Sequence, residues 1–142
     1  MSYTYKYPRP MVTVDALVFA GYGEERKVLL IRRKNPPFQG KWALPGGFVD
    51  MDEDLIDAVK RELQEETGLE LSGFRQLKAF GKPGRDPRGR NISVVFVNFL
   101  EDITPPTAGD DADKAKWFKV SDLPDLAFDH DEVIQTGLKL SA

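Results

Sequence analysis

The sequence of 142 residues contains no cysteine, which restricts the chemistry that the protein can perform. Disulfide bonds, thiolate zinc sites and cysteine nucleophiles are all excluded. What remains is a set of oxygen and nitrogen ligands and the hard metal ions that bind to them. The lack of cysteine also agrees with a cytoplasmic protein, because disulfides are rare in that compartment.

Long apolar segments are missing as well. No apolar run approaches the roughly 20 residues that a bilayer span requires. The amino terminus lacks the basic start and the apolar core of a secretory signal. We therefore expect a cytoplasmic protein that does not contact membranes.

Positive charge is not in excess, since the formal net charge is -3. Proteins that bind nucleic acid usually carry a pronounced basic excess, so we expect no nucleic-acid partner. Charge is divided locally instead: residues 50–70 are rich in acids, and residues 82–90 carry four basic residues against one acid. This division suits a metal site that faces an anion site.

The length and the 41% hydrophobic content suit one domain over residues 1–142 with a single core. Segments rich in β-branched and apolar residues predict strands, which are separated by segments containing glycine and proline. The predicted strands are residues 11–20, 27–32, 42–44, 76–80, 91–100 and 115–120, and the first two are predicted to form a hairpin.

Two helices are predicted. Apolar residues recur at three- and four-residue spacing in residues 54–67, which indicates an amphipathic helix. Asp54 is suited to cap its start and Gly68 to cap its end. The same periodicity predicts a second helix over residues 130–140.

Three glutamates of the first predicted helix, Glu62, Glu65 and Glu66, fall on one arc of about 100° beside the apolar stripe. Like charges four residues apart repel each other, so Glu62 and Glu66 require a cation. Arg61 alone cannot balance three glutamates and Glu53 at the helix entrance. Mg²⁺ or Mn²⁺ would do so, because hard cations bind carboxylate and carbonyl oxygens. The alternative is a solvated acidic face of the helix.

The spacing of these residues favours the metal site. Gly47 is followed after five residues by Glu53 and after seven more by the run Arg-Glu-Leu-Gln-Glu-Glu-Thr-Gly-Leu of residues 61–69. This pattern resembles the signature of the Nudix hydrolase family with no position missing. The Trp-Ala-Leu-Pro-Gly-Gly of residues 42–47 resembles the strand and turn that enter that signature, and the resemblance covers most of the chain.

The resemblance implies the Nudix α/β/α sandwich around a mixed β-sheet, with a loop-helix-loop metal site. It also implies hydrolysis of a diphosphate linkage in a nucleoside diphosphate derivative, with Mg²⁺ or Mn²⁺ as cofactor. Glu65 is either a metal ligand or the general base, while Glu53 and Arg61 brace the helix ends and so support catalysis. The implied metal ligands are the carbonyl of Gly47 and the carboxylates of Glu62, Glu65 and Glu66.

In this family the general base can also come from outside the signature. The alternatives here are the Asp-Asp-Ala-Asp run of residues 110–113 and the Asp-His-Asp run of residues 129–131. The identity of the base therefore stays open at this point.

Residues 81–90 combine turn-forming residues with Arg85, Arg88 and Arg90, and guanidinium groups are suited to a bidentate grip on phosphate. The alternative is an ordinary solvated hairpin loop. Pro83 and the run of residues 85–90 resemble the ADP-ribose pyrophosphatases of the family. We therefore predict that this segment binds the substrate.

Three further residues are predicted to contact the substrate. Arg32 and Arg33 end the second strand near the expected cleft, where they would bind phosphate or ribose; the alternative is a pair of solvated charges. Phe38 could stack on a base, although an aromatic residue beside a strand also suits the core.

The predicted reaction is hydrolysis of ADP-ribose to AMP and ribose 5-phosphate. One alternative is a house-cleaning pyrophosphatase for oxidised dGTP-type triphosphates, against which the basic loop argues. Another is a non-catalytic module that senses ADP-ribose, as in regulators with an added DNA-binding domain; the approximately fifty residues after Arg90 leave no room for one. Tyr3, Tyr5 and Tyr7 suggest the interface of a homodimer.

Overall fold

The computed structural model describes residues 2–109 and 112–141. These residues form seven strands and two α-helices, and neither helix is long and apolar enough to cross a bilayer. In chain order the elements are β1 (Met11–Ala20), β2 (Lys27–Arg33), β3 (Trp42–Ala43), β4 (Gly46–Phe48), α1 (Leu55–Thr67), β5 (Arg75–Phe80), β6 (Asn91–Leu100), β7 (Ala112–Lys119) and α2 (His130–Leu138).

The ends of α1 are set by the residues that the sequence predicts. The carboxylate of Asp54 accepts a hydrogen bond of 2.6 Å from the N–H of Leu55. Gly68 adopts a φ of 75°, a conformation that glycine reaches without steric cost, and its N–H donates to the carbonyl of Gln64. The predicted limits of this helix are confirmed.

The sheet is mixed, as expected. Its main path runs β3-β2-β1-β6-β5, while β4 also pairs with β1 and β7 with β2. β1 and β6 are parallel over their whole length, from Met11 opposite Asn91 to Ala20 opposite Leu100. The other pairs are antiparallel, including the predicted hairpin of β1 and β2.

One helix covers each face of the sheet. Successive side chains of a strand point to opposite faces, so β1 contributes to two separate cores. Val18 packs in the cluster that contains Leu63 of α1, whereas Phe19 packs in the cluster that contains Ile134 of α2. All four side chains are fully buried, and the α/β/α arrangement is confirmed.

Two elements differ from the sequence-based prediction by more than two residues. β4 lies in a segment that was predicted as a turn, because its glycines carry no strand signal. Its pairing with β1 depends on close approach: a Cβ on Gly46 would overlap the backbone oxygen of Val14 and the carboxylate of Asp15. β7 begins at Ala112 rather than at residue 115, since it continues along the edge of β2 as far as Arg33.

Candidate active site

A polar cavity of about 430 Å³ lies where α1, β4, the first half of β1 and the start of β6 meet. The segment of residues 81–90 and the start of α2 close its remaining sides. This volume is within the range of sites for small molecules. The cavity is therefore the candidate active site.

Two predicted metal ligands, Glu62 and Glu66, lie at the cavity although they are only 8% and 5% exposed. The N–H of Gly46 donates a hydrogen bond of 3.1 Å to Oε2 of Glu66. A Cβ on Gly47 would lie 2.6 Å from the carboxylate carbon and from both oxygens of Glu62. Both carboxylates therefore rest directly against the backbone of the two glycines.

Arg61 holds this arrangement together. It donates to Glu53 at 2.7 and 2.9 Å, to Glu62 at 2.9 Å, to Glu65 at 3.2 Å and to the carbonyl of Phe48 at 3.1 Å. The hydrogen bond to Glu53 raises the pKa of Arg61 well above its usual value, and the same bond lowers the pKa of Glu53. Arg61 thus joins α1 to the loop that enters it, while its predicted support of catalysis stays a prediction.

The donor set fits a hard cation. Within residues 2–109 and 112–141, no three His, Asp or Glu side chains converge enough to hold a metal ion by themselves. The carboxylate of Glu62 adjoins Gly47 and that of Glu66 accepts from the N–H of Gly46, however, and Mg²⁺ usually takes one or two carboxylates and completes its shell with water and substrate phosphate. Glu65 is 41% exposed and outside the cavity lining, so its predicted part in metal binding or catalysis stays a prediction.

Three of the predicted substrate residues line the cavity: Arg33, Arg85 and Arg88. Arg85 is not a solvated loop residue, because its side chain is only 4% exposed and forms a bidentate pair with Asp129 at 2.9 and 2.7 Å. Burial of Arg85 acts to lower its pKa. The hydrogen bonds to Asp129 and the negative charges of Asp15 and Asp86 have the larger effect, so the pKa of Arg85 is raised.

Arg88 is held between a carboxylate and two aromatic rings. Its guanidinium pairs with Asp86 at 2.8 Å and lies 5.0 Å from the ring centre of Phe48 and 5.5 Å from that of Phe128. Such contacts of a cation with the faces of aromatic rings are attractive. The side chain is therefore positioned in the cavity wall before any ligand binds.

The other three predicted substrate residues lie away from the cavity lining. Arg32 pairs with Asp113 at 2.8 Å, and Arg90 donates to the carbonyl of Gly81. Phe38 packs edge-on against Phe128, with 4.9 Å between the ring centres. The core alternative for Phe38 is thus closer to what the structure shows, whereas the substrate contacts of these residues stay predictions.

The alternatives for the general base lie in two places. Asp110 and Asp111 are outside the described residues. Asp113 forms an ion pair with Arg32, and Asp129 forms an ion pair with Arg85. The base is therefore not identified by its position.

His130 links the start of α2 to the segment between β3 and β4. Its Nδ1 accepts a hydrogen bond of 3.0 Å from the N–H of Leu44, so the neutral ring carries its proton on Nε2, 3.8 Å from Asp15. Asp15 also accepts a hydrogen bond from Ser93. His130 is 4% exposed, and its burial lowers its pKa, although the charge of Asp15 acts in the opposite direction.

Several cavity residues were missed by the sequence analysis. Asp15 had a signal, because it is a single acid in a strand that is otherwise apolar or hydroxyl-bearing and that should be buried. Asp86 was passed over among the arginines of its loop, and Phe128 had no distinguishing pattern. Asn91 opens β6 and becomes part of the cavity only through the pairing of that strand with β1.

Comparison with known proteins agrees with this geometry. The family model described as NUDIX domain matches residues 9–137. An ADP-ribose pyrophosphatase from Methanocaldococcus jannaschii is 46% identical over 134 residues, which cover 94% of this chain and 76% of that protein.

Two further relatives concern recognition of ADP-ribose. The ADPR responsive transcriptional repressor NtrR of Acinetobacter baylyi is 34% identical over 91% of this chain, which spans only 53% of the repressor. Among solved structures, the NUDIX domain of Shewanella oneidensis NrtR complexed with ADP ribose superposes with a TM-score of 0.89 at 33% identity, covering 96% of this chain and 91% of that domain.

Substitution of Gly47 by alanine should displace the carboxylate of Glu62 without unfolding the protein, because the three atoms nearest to the new Cβ all belong to the end of that side chain and not to the backbone. We expect weaker binding of Mn²⁺ in calorimetric titration and a nearly unchanged melting temperature. Gly81→Ala is the control, since its Cβ would meet Ile92 at an ordinary 3.7 Å. Equal Mn²⁺ affinity in both variants would contradict the position assigned to Glu62.

His130 should make stability depend on pH. Its folded-state pKa lies below the unfolded value of about 6.5, so the unfolded chain binds the proton first. The stabilisation of the folded state by the buried neutral imidazole is complete above about pH 6.5 and is lost as the pH falls through the folded-state pKa. His130→Asn keeps an acceptor for Leu44 but does not titrate. Urea unfolding between pH 8 and pH 5 should show a smaller loss of stability in the variant, and parallel curves would refute this origin.

Proposed function

The chain belongs to the Nudix family, and we propose that it is a pyrophosphohydrolase that converts ADP-ribose and water to AMP and ribose 5-phosphate. The observation that carries this proposal is the pair of buried carboxylates, Glu62 and Glu66, packed against Gly46 and Gly47 in the wall of the cavity. A domain that only binds a ligand does not need two buried like charges in its site. The similarity to an ADP-ribose pyrophosphatase over 94% of this chain supports the substrate.

We assign the metal site to the carbonyl of Gly47 and the carboxylates of Glu62 and Glu66, with Mg²⁺ or Mn²⁺ as the cation. When bound, this cation would neutralise charge on the diphosphate oxygens and acidify the attacking water. Glu65 is the proposed acceptor for the proton of that water, unless it is a further ligand. Arg61 and Glu53 act as positioning residues, because their ion pair ties the loop between β4 and α1 to that helix.

The diphosphate is proposed to lie between this acidic side of the cavity and its basic side, formed by Arg33, Arg85 and Arg88. Hydrolysis adds one water across the P–O–P linkage: the water oxygen joins one phosphorus, and the other phosphate leaves with the bridging oxygen. Guanidinium groups stabilise the charge that the leaving phosphate gains. Arg85 and Arg88 are held by Asp129 and Asp86 before the substrate arrives, which reduces the entropy lost on binding.

A second candidate is a sensor of ADP-ribose. It is favoured by the 34% identity to an ADPR responsive transcriptional repressor. Such a protein would bind ADP-ribose without cleaving it. The two candidates therefore differ in turnover and not in binding.

Two finer features stay predictions. Tyr5 and Tyr7 are exposed and border, with Phe48 and Met51, a groove that is suited to the interface of a homodimer. Light scattering of the purified protein tests the dimer. Action in the cytoplasm without a nucleic-acid partner also remains proposed.

The proposed activity is tested with a panel of substrates in Mg²⁺ or Mn²⁺: ADP-ribose, NADH, a nucleotide sugar, a dinucleoside polyphosphate and oxidised dGTP. We expect kcat/KM for ADP-ribose to exceed that for oxidised dGTP by at least about tenfold, which is about 1.4 kcal/mol in activation free energy. The reverse preference would favour the triphosphate pyrophosphatase. Binding of ADP-ribose without cleavage would favour the sensor.

Glu66→Gln should remove most turnover and leave the fold intact, because the amide oxygen can still accept the hydrogen bond from Gly46. We expect kcat to fall by at least roughly 100-fold. Loss of a residue that only hydrogen-bonds to a metal ligand costs up to about 100-fold, and Glu66 is proposed to be a ligand itself. Glu70→Gln makes the same charge change at an exposed position just beyond α1. Full activity of the Glu66 variant with Mg²⁺ would refute the metal assignment.

A further inference from the structure

Asn91 carries the only buried side-chain polar atom of the described residues that has no hydrogen-bond partner, its Oδ1. The residue is 3% exposed. Its Nδ2 donates to Oγ1 of Thr13 at 3.1 Å and to Oδ2 of Asp86 at 3.3 Å. The orientation of the amide is therefore determined, since a flipped amide would turn its oxygen towards the carboxylate of Asp86. Burial of an unpaired acceptor is costly, and native proteins rarely retain one without a reason.

The unpaired oxygen belongs to a polar floor of the cavity, formed by Thr13, Asp86 and Asn91. Thr13 pairs in register with Phe48, the residue after Gly47 in β4. Adjacent strands are about 4.8 Å apart, so the floor lies beside the proposed diphosphate site. A substrate bound at Gly47 through its phosphates would place its next chemical group near these side chains.

The chemistry of the floor selects the group that it can bind. A partner for Oδ1 must donate a hydrogen bond, and the neighbouring carboxylate of Asp86 repels phosphate. A nucleobase would stack on a flat apolar surface, and these three short, polar side chains offer none; the faces of Phe48 and Phe128 in the same cavity are already in contact with Arg88. A sugar hydroxyl fits, because it donates to an acceptor and its own oxygen can accept from an arginine such as Arg88, which Asp86 holds nearby.

We propose that the polar floor of Thr13, Asp86 and Asn91 is a subsite for a ribose hydroxyl, which donates to Oδ1 of Asn91. This inference rests on the proposed function, since it assigns a subsite to the same ligand. Asn91 then distinguishes a substrate with a hydroxyl at this position from one that lacks it. The hydroxyl can belong to the adenosine ribose or to the terminal ribose of the substrate.

The test compares kcat/KM for each combination of enzyme variant and substrate analogue. Monodeoxy analogues of ADP-ribose, each without one secondary hydroxyl of one of the two riboses, are compared with ADP-ribose for wild type and Asn91→Ala. In wild type, one analogue should lose roughly tenfold in kcat/KM, the upper end for one neutral hydrogen bond. In Asn91→Ala, that analogue and ADP-ribose should be cleaved equally well. The ribose to which the sensitive analogue belongs identifies the sugar in the subsite.

A matched control is available on the same strand. Asn98 is also buried, and its Nδ2 donates to the carbonyl of Ser72 at 2.8 Å, away from the cavity lining. Asn98→Ala should retain the wild-type ratio between the sensitive analogue and ADP-ribose. If Asn91→Ala does not fold, Asn91→Ser serves instead, because it withdraws the amide oxygen and keeps a short polar side chain.

The outcomes separate this inference from the proposed function. If wild type does not cleave ADP-ribose, the proposed hydrolysis is wrong, and the same comparison is carried out on dissociation constants measured by calorimetry. If ADP-ribose is cleaved but every analogue shows the same ratio in wild type and in the Asn91 variant, hydrolysis stands and the subsite is refuted. Failure of ADP-ribose to bind would refute both.

Discussion

The structure of the site depends on the burial of two like charges against a glycine backbone. Glu62 and Glu66 are one turn apart on α1, and each lies against one of the adjacent residues Gly46 and Gly47. Any side chain at Gly46 would overlap β1, and one at Gly47 would overlap Glu62. The chain must therefore combine two glycines, a short β-pairing and a helix whose inner edge is acidic, although each of these is unfavourable by itself.

The surrounding ion pairs make this arrangement tolerable and also prepare it for a ligand. Arg61 offsets part of the acidic charge and ties the loop to the helix. On the opposite side, Arg85 and Arg88 are fixed by Asp129 and Asp86. A cation and a diphosphate placed between these two sides would each meet the opposite charge. Because the side chains are already ordered, little conformational entropy remains to be lost on binding.

Sequence reasoning succeeded where one local pattern determined one local structure. The limits of α1 followed from Asp54, Gly68 and the apolar spacing, and the place of Glu62 and Glu66 beside that apolar stripe followed from helical geometry, although Glu65 on the same arc is exposed. It was less informative for charged residues whose partner is distant in sequence. Arg32 and Arg33 are neighbours in the chain, yet only Arg33 reaches the cavity, because alternate residues of a strand point to opposite sides.

By itself, the sequence determined the two helices, the family resemblance and the position of the acidic residues on the first helix, since these depend on periodicity and on spacing within about twenty residues. Tertiary structure alone decided which polar residues share the cavity. Asp86 and Asn91 are close in sequence, but Asp15 joins them in the cavity only through the parallel pairing of β1 with β6, which are 80 residues apart at Met11 and Asn91. Strand register is set by the packing of both faces of the sheet, and the local sequence carries no direct record of it.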